Sequence, residues 1–129
     1  MSRIEEVLNA KKKLIAGHGA SEKDICSAEE QLNIKFAPEY RDYLLRYGAV
    51  SYGGREFTGI TPIERINVVS VTEEERARDI DNRESFYVIE QTGMDDIVIW
   101  QNEEGKIYKT YGIEAPKQIY NSLEEFFSL

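Results

Sequence analysis

Between Pro38 and Gly48, the residues Tyr40, Tyr43, Leu44 and Tyr47 recur at the i, i+3, i+4, i+7 spacing of one helical face. Proline suits the first turn of a helix and glycine its end, so both boundaries are marked. The chain is thereby committed to a helix with three tyrosine rings on its apolar side.

Other helix starts carry a hydroxyl residue followed three positions later by an acid, which lets side chain and backbone cap one another. Ser2 and Glu5, Ser21 and Asp24, Thr72 and Glu75, and Ser122 and Glu125 match that pattern. The first helix is expected to turn Ile4, Val7, Leu8, Leu14 and Ile15 inward and to stop at Gly17 to Gly19. The second should bury Ile25, Ala28 and Leu32, and the last Leu123, Phe126 and Phe127. Short β-rich runs read as strands at Glu56 to Ile60 and Ile66 to Val71. Phe86 to Glu90, Ile97 to Gln101 and Lys106 to Tyr111, broken by Gly93 and by Asn102 to Gly105, have the spacing of an antiparallel meander, with a brief strand at Lys117 to Tyr120. Helices and strands are segregated rather than alternating. The expected class is therefore α+β, a mostly antiparallel sheet with helices packed against it. The 129 residues suit a single domain, 1–129, with no internal repeat or linker.

Twenty-four acidic and 16 basic side chains give a net charge of -8, a field that repels polyphosphates and attracts cationic partners. Nucleic acid is therefore not an expected ligand, although surplus acid also serves solubility alone. The residues Met1 to Glu6 place charge where a signal peptide needs an apolar run, and no stretch is long enough to cross a bilayer, so a cytoplasmic location with no membrane contact is expected.

Chemistry is sparse. A single cysteine, Cys26, and a single histidine, His18, cannot supply a zinc site of the usual ligands, so no metal or cofactor is expected. His18 lies in a Gly-His-Gly helix exit, and Cys26 reads as a core or half-buried thiol. Asp79, Asp81 and Arg83 fail as a calcium loop, because a cation stands at a ligand position and Glu84 where glycine is needed. Gly17-His-Gly19 lacks a third glycine, and Gly105-Lys106 is followed by Ile107 rather than Ser or Thr, so no nucleotide loop is present. Carboxylate pairs such as Asp95-Asp96 and Glu103-Glu104 are expected by chance among so many acids, and Glu73 to Glu75 read as a solvated helix start. No catalytic residue is assigned and no enzyme is expected. Trp100, Tyr108 and Tyr52 read first as core or half-buried rings and second as anchors of a protein-binding surface.

Ile25, Glu29, Leu32, Ile34, Pro38, Tyr40, Leu44 and Gly48, with Phe86 to Trp100 and Ser122 to Phe127, together resemble the signature of the SUKH superfamily. Ala49 and Val50 depart from the more polar or glycine-rich loop of many relatives. The resemblance implies an α+β protein-binding domain without catalytic residues. Many such domains are bacterial immunity proteins against polymorphic toxins, and fungal relatives act in cell-wall regulation. The expected function is neutralisation of a cognate toxin, a basic nuclease domain, by stoichiometric complex formation; the alternative is a regulatory scaffold. Contacts are expected at Asp95, Asp96, Glu103 and Glu104 in strand turns, with Tyr52 and Trp100 nearby.

Overall fold

The computed structural model describes residues 3–78 and 83–128. Among these residues, α1 (Ile4–Asn9), α2 (Glu22–Leu32) and α3 (Pro38–Tyr47) come first, interrupted by a short strand, β1 (Ile15–Ala16). Two more short strands, β2 (Val50–Tyr52) and β3 (Arg55–Glu56), complete an antiparallel sheet in the order β1-β2-β3. A 3-10 turn at Glu64–Ile66 leads into α4 (Val68–Arg76). The antiparallel meander β4 (Phe86–Gln91), β5 (Ile97–Asn102), β6 (Ile107–Tyr111) and β7 (Lys117–Tyr120) then forms a four-stranded sheet, and α5 (Leu123–Phe127) closes the chain. The α+β class is as the sequence implied.

Alternation along the central strands divides the interior in two. Tyr87, Ile89 and Ile99 face a large core built with Tyr40, Tyr43 and Leu44 of α3, Ile25 and Leu32 of α2, and Phe126 and Phe127 of α5. Val88, Val98 and Trp100 face the other way, beneath Val71 of α4. A register shift between Val88 and Glu90 redirects Glu90, whose buried carboxylate accepts two bonds from Arg55 (2.8 and 3.0 Å) and so ties β3 to β4.

Capping explains most helix ends. Ser21 Oγ accepts the Asp24 N–H, Ser122 Oγ accepts the Glu125 N–H, Pro38 opens α3, and Gly48 ends it at φ +70°. Gly59 packs so tightly that a Cβ there would lie 1.7 Å from the Gly48 carbonyl oxygen, so two glycines let two backbone segments touch.

Several expectations need correction. α1 ends at Asn9, so Leu14 and Ile15 are not on it; Ile15 instead begins β1, with 69% of its surface exposed. The capping residue Ser2, and Asp79 and Asp81 of the rejected calcium loop, lie outside the described residues. Ile66 to Val71 is not a strand. Asn67 caps α4 by accepting the Val69 and Ser70 N–H groups, and the buried set Val68, Val71, Thr72 and Glu75 makes one helical face. Thr72 is therefore mid-helix, and its hydroxyl accepts the Val88 N–H. β3 stops at Glu56, after which Thr58 runs against β4, donating from its N–H to Ile89 O and from its hydroxyl to Val88 O. Cys26 is exposed, because Ile25, Ala28, Glu29 and Leu32 fill the inner face of α2 and the next residue after Ile25 is turned about 100° away.

Candidate functional site

Two turns share one end of the four-stranded sheet: the β4–β5 turn, Thr92 to Asp96, and the β6–β7 turn, Gly112 to Pro116. In the first, Thr92 Oγ1 donates to Ile97 O at 2.8 Å and accepts the Met94 N–H at 3.2 Å. Gly93, Asp95 and Asp96 all take positive φ (72°, 52° and 57°), which short polar side chains tolerate better than bulky ones. The Gly112 N–H donates to Asp96 O at 3.2 Å and joins the two turns.

The second turn is held from below. Arg83, buried against the Trp100 ring, donates through Nη2 to the carbonyls of Gly112 (3.2 Å) and Glu114 (2.8 Å). Among the described residues its Nε and Nη1 find no hydrogen-bond partner, and burial pushes the guanidinium below its usual range. A charge so costly to bury fixes the loop that carries Ile113.

Outward from this frame stand Met94 (66% exposed), Tyr111 (50%) and Ile113 (80%), half of the six large apolar side chains that are exposed among the described residues. Exposed Asp95, Asp96 and Glu114 flank them. Asp96 is engaged: Arg78 donates to both its oxygens (2.9 and 2.7 Å) and to Glu75 (3.1 Å), which holds the Asp96 carboxyl below its ordinary value. Asp95 has no ion-pair partner among the described residues. The turns thus offer an apolar cluster with free negative charge at its edge, suited to a cationic protein surface.

Of the residues expected to make contacts, only Asp95 and Asp96 are brought together here. Glu103 and Glu104 occupy the β5–β6 turn at the opposite end of β5, where Glu103 edges a recess of about 410 Å³ with Glu30 and Lys35. Tyr52 is half-buried in the small sheet, its ring 5.1 Å from that of Phe57 and Lys11 above it. Trp100 is corrected outright: it is 0% exposed, with Nε1 donating to Thr110 Oγ1 at 2.9 Å, and is a core residue. Met94, Tyr111, Ile113 and Glu114 were missed, although apolar residues beside Gly93 and Gly112, where strands must turn, were the available signal.

Among the described residues, no group of three or more His, Cys, Asp or Glu side chains is placed to hold a metal ion, and no helix is long and apolar enough to cross a membrane.

A family model described as SUKH_6, SMI1-KNR4 cell-wall, matches residues 22–127. The chain belongs to the SUKH family. SUKH domains are known as immunity or regulatory domains. Comparison with curated proteins finds no match. Among solved structures, the crystal structure of a protein from Pseudomonas syringae pv. tomato is similar, with a TM-score of 0.74 at 21% identity over 95% of this chain and 91% of that one, a likeness of fold. In this SUKH domain the signature residues do structural work. Glu29 accepts the Phe36 N–H and pairs with Arg41 (both 2.9 Å), fastening α2 to α3, while Tyr40 and Leu44 lie in the core. Of the signature, only the turn inside the Phe86 to Trp100 segment, with Met94, Asp95 and Asp96, reaches the exposed face.

Proposed function

We propose that this SUKH domain is a non-catalytic, cytoplasmic immunity protein that binds a cognate toxin, a basic nuclease domain, and covers its substrate groove with the β4–β5 and β6–β7 turns. The observation that carries the reading is the exposed set Met94, Tyr111 and Ile113 beside Asp95, which no described residue ion-pairs, on a chain of net charge -8. Magnitudes favour this end over the Glu103-Glu104 turn. Full burial of a large apolar side chain contributes about 1.5–3 kcal/mol, whereas an exposed ion pair gives roughly 0–1 kcal/mol. Carboxylates at the rim would steer the encounter and stand where nucleic-acid phosphates otherwise lie, and the apolar cluster would set the lifetime of the complex. A standard interface takes roughly 800 Å² per partner, a modest share of the 7342 Å² surface.

Co-expression with nuclease toxin domains from the same genome tests the reading. Wild type should restore growth, and Ile113→Asp should fail to while folding normally. Continued killing in the presence of abundant wild-type protein removes the immunity function. The cell-wall description of the matching family supports a second reading, a regulatory scaffold. Affinity capture would then recover cell-wall or signalling proteins with no toxin among them.

A further inference from the structure

A different surface has the opposite sign. From Val7 to Ser21 the sequence holds no acid, while Lys11, Lys12 and Lys13 lead into β1. Lys12 and Lys13 are exposed, and among the described residues no ion pair engages either of them. β1 is an outer strand of its sheet, paired to β2 alone. Gly17 N–H donates to Ala49 O at 2.9 Å, and Ile15 pairs with Ser51 in the same alternating ladder. The intervening Ala16 therefore turns its N–H and C=O to the open side.

Ile15 and Ala16 of this strand also line a recess of about 340 Å³, together with Val50, Ile63 and Ile66 among others. Ile15 is 69% exposed and Ile63 45%, so apolar surface stands open along a strand edge that no other described strand pairs. The one carboxylate in the lining, Glu56, is matched by Arg65 (2.6 and 3.1 Å), so among the described residues it does not compensate Lys12 or Lys13. Residues 15–17 also precede the span 22–127 matched by the family model, so this wall of the recess comes from outside that match.

We propose that this recess docks an extended, acid-rich peptide segment of a partner protein, which adds as a strand to β1 and sets an apolar side chain between Ile15 and Ile63. The backbone edge at Ala16 calls for another backbone, the apolar floor for a branched aliphatic side chain, and Lys12 and Lys13 for flanking carboxylates. A nucleic acid would find lysines but no aromatic stacking surface in the lining. The site is separate in position and charge from the face proposed to hold the toxin.

The probe is a fluorescein-labelled nonapeptide, Glu-Glu-Thr-Val-Ile-Val-Thr-Glu-Glu, titrated into the full chain by anisotropy and by amide chemical shifts. Saturable binding is expected, with shifts concentrated at 14–17 and 63–66. Ile15→Asp, methylation of the central peptide nitrogens, or exchange of the peptide's acids for lysines should each weaken binding by about tenfold or more. Ile113→Asp should leave it unchanged, which separates this site from the toxin face. Lack of saturation, equal binding by the methylated peptide, or shifts elsewhere overturns the proposal. So does finding these amides moved only by phosphatidylserine vesicles, which would make the surface a membrane contact, or only by rising protein concentration, which would make it self-association.

Discussion

The Tyr43 hydroxyl donates to Thr58 O at 2.7 Å and accepts the Val50 N–H at 3.1 Å in a fully buried position. Removing it leaves two buried backbone groups without partners, so Tyr43→Phe should cost about 2–3 kcal/mol in urea denaturation. Tyr40→Phe should cost less, about 1 kcal/mol, because Thr58 Oγ1 keeps its bond to Val88 O. Glu39 makes a pH-dependent counterpart. Its carboxylate accepts the Leu123 and Glu124 N–H groups and a Gln101 amide hydrogen, yet burial outweighs these bonds and raises its pKa above the ordinary 4.5. The folded state then binds the proton more tightly than the unfolded chain, so this group lowers stability as pH climbs from near 4.5 through the raised folded value. The stability of Glu39→Gln relative to wild type should rise over that interval and level off above it; a difference independent of pH contradicts the assignment. Burial was legible for the tyrosines, because period 3.6 marks a face, whereas the half-burial of Glu39 was not, since its partners lie more than 60 residues away.

α4 shows where local pattern misleads. Val68, Val69 and Val71 are β-branched and read as a strand, but Val68, Val71, Thr72 and Glu75 also have helical spacing, and packing on β4 and β5 decides between them. The start is set by Asn67, whose Oδ1 accepts two N–H bonds while Nδ2 donates to Thr61 O. Asn67→Ala should therefore cost about 1–2 kcal/mol by thermal or urea denaturation, where a Thr72 cap would have predicted no effect. The reverse held for β4 to β7, whose alternating runs and glycine turns fixed strand positions to within a residue or two. Ile15 escaped because β1 has two residues, too few for any period to register.

For the molecule as a whole, composition announced a negative field but not where apolar surface would break through it. That placement depends on sheet topology, which puts the turns carrying Met94 and Ile113 at one end of the sheet while sending Glu103 to the far end. It also depends on Arg83, whose hold on the second turn no sequence spacing discloses. Since the rim charges are exposed, association with a cationic toxin should slow as salt rises through about 0.1 M, where the Debye length is near 10 Å, while dissociation changes little. Calorimetric titration of the toxin domain into wild type, Ile113→Asp and Glu103→Lys measures the central claim most directly. Affinity should fall by about a hundredfold or more for Ile113→Asp, as for a desolvated anchor, and by less than about fivefold for Glu103→Lys. Unchanged affinity in Ile113→Asp, with a large loss in Glu103→Lys, would place the partner at the other end of the sheet and contradict the account.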